Sequence, residues 1–235
     1  MSQITRTIIL VPSRGRPERL NRMIISAASL SVGGILVIAG VDKDDPKNDE
    51  YQELTKLHRN LLMFSGPRDS LSGWTNMLAG AAIANFGIKG TFLVSMGDDH
   101  EVQTDLWDLA LINSIHSLDG PGFSFGDDQI NGSGLCTSWM VSAEVVDALG
   151  WMMLPQCRHM YVDSAIMELG NAADRIKYNP LVTIEHLHPI MQKSEIDQTY
   201  LDGTSTIDLD LDAFREWHAG PKFKEDVQKI KELTW

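Results

Sequence analysis

Four short apolar runs, each followed by a turn of polar or charged residues, constrain the fold of this chain most strongly. The runs cover residues 7–12, 34–40, 60–65 and 91–96. A continuous apolar run of this length is typical of a strand buried on both faces, as in parallel sheets. Helical spacing of apolar residues follows at 17–30 and at about 70–85. This alternation predicts an α/β fold with a Rossmann-like, mostly parallel central sheet flanked by helices.

The second half of the chain has a less regular pattern. It predicts strands at 122–126 and 135–141, a helix at 142–149 with Ser142 as N-cap, a helix at 161–169 closed by Gly170, extended chain at 176–188, and one or two terminal helices at 214–233 broken at Gly220. No internal repeat, low-complexity tract or linker interrupts the sequence. We therefore expect one domain spanning residues 1–235.

The charge of the chain is strongly acidic and unevenly distributed. The sequence has 20 Lys and Arg residues against 32 Asp and Glu residues, a formal net charge of -12. Such a balance disfavours nucleic-acid binding through a broad basic surface, although it allows a local basic groove. Six acidic residues, and no Lys or Arg, lie between Glu195 and Asp212. We expect that stretch to be a solvated or mobile region.

Cysteine content and hydropathy indicate the compartment. Cys136 and Cys157 are too few for a disulfide framework, which favours a reducing environment. No apolar run approaches the roughly 20 residues that span a bilayer. The N-terminal segment 1–6 leads into an apolar run without the small-residue cleavage site of a signal peptide. These features predict a cytoplasmic protein with no membrane partner.

Polar and charged residues follow all four predicted strands, at 12–16, 42–45, 66–68 and 97–100. In open α/β sheets, ligands bind beyond the carboxyl ends of the strands. Two of these turns carry arginine and two are acidic. One edge of the sheet is therefore expected to hold an anionic ligand and a divalent cation side by side.

Asp98 and Asp99 are the sharpest feature of that edge. Adjacent carboxylates at the end of an apolar strand repel each other unless a cation or a shared proton offsets their charges. Hard oxygen ligands suit Mg²⁺ or Mn²⁺. The alternative is a loop with two solvated aspartates, one of which caps the following helix.

His186 and His188 form a second candidate ligand pair. Residues at i and i+2 lie on the same face of an extended segment, so the two rings are expected to point the same way. A packed histidine without a ligand is the alternative for either ring. A zinc site is disfavoured because no nearby cysteine or third helix-spaced ligand completes it.

The segments 7–17, 41–46 and 94–99 together resemble the nucleotide-sugar half of a GT-A-fold glycosyltransferase. More narrowly, they are similar to small phage-type enzymes related to family 2, some of which glycosylate hydroxymethylated bases in viral DNA. The resemblance covers roughly residues 5–200. It implies a nucleotide-sugar half at about 1–100, an acceptor half at about 101–200 and a C-terminal helical segment at 201–235.

The resemblance also implies residue roles. The donor pocket would contain Pro12, Ser13, Arg14, Arg16, Asp42, Asp44, Arg68, Asn76 and Asp98. The metal would be held by Asp98, Asp99 and one or both of His186 and His188; the usual first aspartate of the D-x-D motif is replaced by Gly97. Asp163 would be the general base for the acceptor hydroxyl.

Structural roles are the alternatives for several of these residues. The segment 44–46 is a good turn sequence without any ligand, and Arg16 is equally consistent with a solvated helix charge. Asn76 lies inside a helical stretch, where a structural role is common. Asp163 is also suited to be a helix N-cap.

The function implied by the resemblance is metal-dependent transfer of a sugar from a nucleoside-diphosphate sugar, with a UDP-sugar favoured, to an acceptor hydroxyl. The cofactor would be Mn²⁺ or Mg²⁺. A 5-hydroxymethylated pyrimidine in phage DNA, in the host cytoplasm, is one candidate acceptor; small molecules, glycans and proteins stay open. The alternatives are a nucleotidyltransferase that forms sugar nucleotides, for which the turn with Gly15 lacks the usual Gly-rich loop, and a non-catalytic nucleotide-sugar-binding module.

Overall fold

The computed structural model describes residues 5–32 and 34–235. The strands are β1 (Arg6–Ser13), β2 (Ile35–Asp42), β3 (Leu61–Gly66), β4 (Thr91–Ser95), β5 (His100–Val102), β6 (Phe123–Asp127), β7 (Trp139–Ser142) and β8 (Ile176–His186). The helices are α1 (Pro17–Ser29), α2 (Asn48–Leu57), α3 (Leu71–Phe86), α4 (Trp107–His116), α5 (Ala143–Leu149), α6 (Val162–Ala173), α7 (Gln198–Thr204), α8 (Ile207–Ala219) and α9 (Pro221–Lys231). Residues 1–4 lie outside the described residues. They belong to the N-terminal segment 1–6, for which no signal-peptide cleavage site is expected from the sequence. Within the described ranges, no helix combines the length and apolar character needed to cross a membrane.

The strands form one mixed sheet in the order β3-β2-β1-β4-β7-β6-β8-β5. The first four strands of this order run parallel, and β8 is parallel to β6. Strand β7 is antiparallel to β4 and β6, and β5 is antiparallel to β8. The prediction of an α/β fold with a mostly parallel central sheet is therefore confirmed.

Three of the four predicted N-terminal strands, β1, β2 and β4, form because their apolar runs are buried on both faces of the sheet. The prediction of burial on both faces is wrong for β3, an edge strand on which Leu62 and Phe64 are 43% and 37% exposed. In β1, Ile8 and Leu10 belong to one buried cluster, together with residues of α3, α5 and α6. The alternate residues Ile9 and Val11 belong to a second cluster, with residues of α1, α2 and α4. Helices thus cover both faces, and the carboxyl ends of the central strands stay open at one edge.

Helix α6 extends beyond the predicted end at Gly170 and stops at Ala173, where Asp174 adopts a left-handed conformation with φ 56°. Gly170 has a packing role, because a Cβ atom there would lie 2.6 Å from the Cβ of Ile176 in β8. Ser142 precedes α5 without capping it; its hydroxyl accepts a hydrogen bond from the Gly122 amide at 3.1 Å. The predicted break at Gly220 is confirmed, because α8 ends and α9 begins there.

The acidic stretch 195–212 folds into α7 and the start of α8. The prediction of a solvated region fits Asp208, which is exposed, but is wrong for Asp210, whose exposure is 1%. Asp210 accepts hydrogen bonds from the amides of Arg158, His159 and Met160 at 2.7, 2.9 and 2.8 Å. Net charge alone cannot reveal such partners, because they are distant in the sequence.

Candidate functional site

A cavity of about 840 Å³ lies at the carboxyl ends of β1, β2 and β4. The start of α3, the loop before α6, the end of β8 and helix α7 complete its walls. The residues singled out in the sequence that line it are Pro12, Ser13, Arg14, Arg16, Asp42, Arg68, Asp98, Asp99, Asp163, His186 and His188. The fold thus brings together residues from both halves of the chain at the edge where ligands bind in α/β sheets.

Two other residues from the predicted set do not line the cavity. Asp44 lies at its rim, 60% exposed at the side chain, and pairs with the Arg14 guanidinium at 2.6 Å. The Asn76 side chain joins α3 to the loop between α5 and α6, because its oxygen accepts from the amides of Met152 and Met153 at 2.8 and 2.9 Å and its amide group donates to the Met153 carbonyl. This environment matches the structural alternative for Asn76.

The turn after β1 is fixed by buried hydroxyl groups. The Ser13 hydroxyl donates to Asp98 Oδ2 at 2.6 Å and lies 2.7 Å from the Tyr51 hydroxyl. Tyr51, fully buried on α2, also accepts from the Arg16 amide at 2.9 Å. Gly15 adopts φ 70° and donates its amide hydrogen to Asp45. The turn therefore presents its two arginines from a rigid backbone.

Asp42, at the end of β2, is held by donors on both sides. Its Oδ1 accepts from the Trp74 indole at 2.7 Å, and its Oδ2 accepts from Arg14 at 2.9 Å. The Trp74 ring packs directly on the backbone of Gly40, where a Cβ atom would lie 2.5 Å from the ring. The carboxylate is therefore fixed at the cavity wall in an orientation that side-chain rotation cannot easily change.

Arg16 connects the carboxylates of the cavity. Its guanidinium lies 3.3 Å from Asp98 and 3.8 Å from Asp99, and its Nε donates to Asp197 at 2.7 Å. The Arg16 side chain is 10% exposed, so these contacts form largely away from water. Desolvation opposes the charge, but the three carboxylates outweigh it and raise the pKa of Arg16.

The two neighbouring aspartates have different protonation equilibria. Burial, together with the charge of Asp99, raises the pKa of Asp98 to about 6. Burial alone would also raise the pKa of Asp99, but hydrogen bonds and charges from His100 and His186 hold it well below its usual value. Asp99 is therefore the carboxylate that stays ionised, next to two imidazoles.

Asp99, His100 and His186 form a cluster whose potential ligand atoms all lie within 4.8 Å of one another. His100 and His186 are register partners on β5 and β8, and their rings stack at 4.3 Å. His100 Nε2 is buried without a hydrogen-bond partner in the described part of the chain. Burial and the nearby His186 lower the pKa of His100, which favours the neutral ring that metals bind.

The cluster overlaps the ligand set expected from the sequence and adds His100. The expectation that a zinc site lacks a third ligand is therefore wrong. Asp98 points to Ser13 and Arg16 instead of joining this group. His188 packs edge-on against the His186 ring at 4.9 Å and near the Tyr200 ring at 5.4 Å. The sequence feature that could have identified His100 as a ligand is its position directly after the aspartate pair.

Asp163 lies in the first turn of α6, and Tyr161, with φ 62°, occupies the N-cap position. Asp163 is therefore not the N-cap, although its Oδ1 accepts from the adjacent Ser164 amide at 2.7 Å. Burial raises the pKa of the Asp163 carboxyl. A partly buried carboxylate with a raised pKa at a cavity wall is suited to accept a proton.

No model of a known protein family matches the sequence, and the search of curated proteins finds no match. Solved structures match the fold. The mannosyltransferase PcManGT from Pyrobaculum calidifontis, in complex with GDP-Man and Mn²⁺, has a TM-score of 0.64 at 12% identity over 98% of this chain and 70% of its own. S. aureus TarS 1–349 in complex with UDP has a TM-score of 0.58 at 9% identity over 93% and 73%. Glucosyl-3-phosphoglycerate synthase from Mycobacterium tuberculosis, in complex with Mn²⁺, UDP and glucosyl-3-phosphoglycerate, has a TM-score of 0.58 at 13% identity over 90% and 80%. These matches confirm the GT-A-like fold.

Proposed function

We propose that this protein is a metal-dependent glycosyltransferase that transfers a sugar from a nucleoside-diphosphate sugar to an acceptor hydroxyl. The observation that carries the proposal is one cavity in which an arginine-bearing turn, an aspartate pair and the cluster of Asp99, His100 and His186 converge. Solved structures of the same fold hold GDP-Man with Mn²⁺ and UDP with Mn²⁺. At this level of identity the likeness supports the fold, and the cavity residues support the chemistry.

The donor set of the cluster fits a divalent cation. Asp99 offers an ionised carboxylate, and His100 has a buried Nε2 that lacks any partner among the described residues. One carboxylate and two imidazoles suit Mn²⁺ better than Mg²⁺, which prefers oxygen ligands throughout. We propose Asp99, His100 and His186 as the ligands, with Asp98 beside them and His188 at the periphery. The bound ion would stabilise the negative charge of the leaving diphosphate.

The donor would lie along the turns after β1 and β2. Arg16 and Arg14 present guanidinium groups, which bind phosphate oxygens in a bidentate manner. The fixed Asp42 carboxylate would accept hydrogen bonds from a ring N–H of the base or from ribose hydroxyls. A base with an imino N–H, as in UDP or GDP, matches such an acceptor, and a UDP-sugar remains our first choice.

Asp163 is our proposed general base. It lines the cavity on the side of the acceptor half, and its raised pKa makes it a better proton acceptor than an ordinary aspartate. A hydroxymethylated pyrimidine in DNA is one candidate acceptor, and it would need to be flipped out of the duplex to reach the cavity.

A panel of nucleotide sugars, each with Mn²⁺ or with a chelator, tests the proposal by thermal shift. We expect one UDP- or GDP-sugar to stabilise the protein only when Mn²⁺ is present. Asp99→Asn should remove the Mn²⁺-dependent part, whereas Asp105→Asn, at an exposed aspartate outside the cavity, should retain it. Asp163→Asn should bind the donor and lose turnover. Failure of every nucleotide sugar to stabilise the protein would refute the donor site, and full turnover by Asp163→Asn would refute its role as base.

A further inference from the structure

The segment from Asp197 through α7 to Thr206 contributes to one wall of the cavity, and we call it the acidic latch. Thr199, Tyr200 and Asp202 line the cavity from this segment. The latch belongs to the acidic stretch that has no positive residues of its own. Its charges are therefore paired with residues elsewhere in the chain.

Each of the three arginines assigned to the donor contacts the latch. Asp197 receives two hydrogen bonds from Arg16, from Nε at 2.7 Å and from a terminal nitrogen at 2.5 Å. Asp202 pairs with Arg68 at 2.5 Å. The Thr199 hydroxyl donates to the backbone carbonyl of Arg14 at 3.0 Å.

A carboxylate that binds arginine in this way occupies the same N–H groups that a phosphate would use. The Arg16 side chain is 10% exposed and has Asp98 and Asp99 on its other side. Its Nε and one terminal nitrogen donate to Asp197. A diphosphate that approaches Arg16 and Arg68 therefore has to replace the carboxylates of Asp197 and Asp202.

We propose that the acidic latch is a built-in competitor for the donor, which holds the phosphate-binding arginines until a nucleoside diphosphate displaces it. This inference rests on the proposed function, because it requires the diphosphate to bind at these arginines. Only molecules with an open latch bind the donor. The apparent affinity is therefore the intrinsic affinity multiplied by the fraction of molecules in which the latch is open. The latch thereby protects the cavity from weakly binding anions.

The test is the affinity of UDP, GDP and inorganic pyrophosphate, at one fixed Mn²⁺ concentration, for the wild type and for the Asp197→Asn/Asp202→Asn variant. Both side chains are partly exposed, so each pair contributes modestly, and we expect the double variant to bind about tenfold more tightly. Asp208→Asn/Asp212→Asn, the same charge change at two exposed positions on α8, should change affinity little. Thr199→Ala, which removes only the bond to Arg14, should tighten binding about threefold without any charge change.

Unchanged or weaker binding by the double variant would overturn the latch, because it would mean that Asp197 and Asp202 position the arginines for the ligand. Hydrogen exchange gives a second readout: the amides of α7 should exchange faster when UDP binds the wild type, and protection that increases would also refute displacement. If UDP, GDP and pyrophosphate bind no variant, the donor site itself fails. If they bind the wild type and all variants equally, only the latch fails.

Discussion

Replacement of Asp210 by asparagine tests a buried carboxylate that joins α8 to the loop before α6. Asp210 Oδ1 accepts from the Arg158 amide, and Oδ2 accepts from the amides of His159 and Met160 and from the Thr206 hydroxyl at 2.7 Å. An asparagine has one acceptor oxygen. Placed at the Oδ2 position, that oxygen keeps three of the four bonds and leaves the Arg158 amide facing an NH₂ group.

The expected cost follows from these contacts. A hydrogen bond to a charged group contributes about 1.5–3 kcal/mol, and the remaining bonds weaken because the acceptor is now neutral. We therefore expect Asp210→Asn to lose about 2–4 kcal/mol of unfolding free energy. For a chain of this length, that loss corresponds to a decrease in Tm of about 4–16 °C.

Chemical denaturation, monitored by tryptophan fluorescence, measures this difference through the midpoint at constant m value. Asp208→Asn is the matched control, because Asp208 lies on the same helix but is exposed. Burial opposes ionisation of Asp210, but hydrogen bonds from backbone amides and from the Thr206 hydroxyl hold the pKa of this carboxyl below its usual value. Its stabilisation is present above the unfolded pKa and is lost as the pH falls through the folded pKa. The difference in stability between the two variants should therefore begin to narrow below about pH 4 and close only below the folded pKa. A loss within 0.5 kcal/mol of the control at neutral pH would refute the reasoning, since that is the ordinary range for surface substitutions.

Two further predictions concern the core. Gly40→Ala should destabilise the protein by about 1–3 kcal/mol, because the new methyl group would lie 2.5 Å from the Trp74 ring; Gly80→Ala in α3, which has open space around it, should be neutral or stabilising in the same melt. Cys136 and Cys157 should resist a thiol reagent at pH 8 in the folded protein and react after denaturation, because both are buried and burial raises the pKa of Cys157 to about 12; labelling of either thiol at the rate of a free cysteine would contradict their burial.

The elements that the sequence predicts well are those with a local cause. The run 7–12 becomes β1, and the helix predicted at 17–30 becomes α1, because burial on both faces or on one stripe leaves a direct hydrophobic pattern. The sequence does not predict helix α2, because its buried residues are only Tyr51 and Leu54 in a mostly polar segment. Helix α4 has apolar residues at helical spacing, Trp107, Leu111 and Ile115, from which the helix could have been predicted. It begins after Leu106, which adopts a left-handed conformation.

The site residues that the sequence does not reveal depend on pairings between distant segments. His100 joins Asp99 and His186 because β5 pairs with β8, which no local pattern encodes. Asp197 looks like a solvated charge in sequence, yet its partner is Arg16 near the other end of the chain. The strand ends identify where the cavity forms, and long-range pairing decides which side chains face one another there.

The position of β5 in the sheet has a consequence for how the site comes into existence during synthesis. β5 follows β4 closely in the chain, yet β7, β6 and β8 separate the two strands in the sheet. A nascent chain that ends soon after Val102 therefore carries His100 on a strand that has no partner until β8 is made. The N-terminal half alone cannot assemble the cluster, so a truncated product would keep Asp99 and His100 but lack His186, the third residue of the arrangement that we propose binds metal.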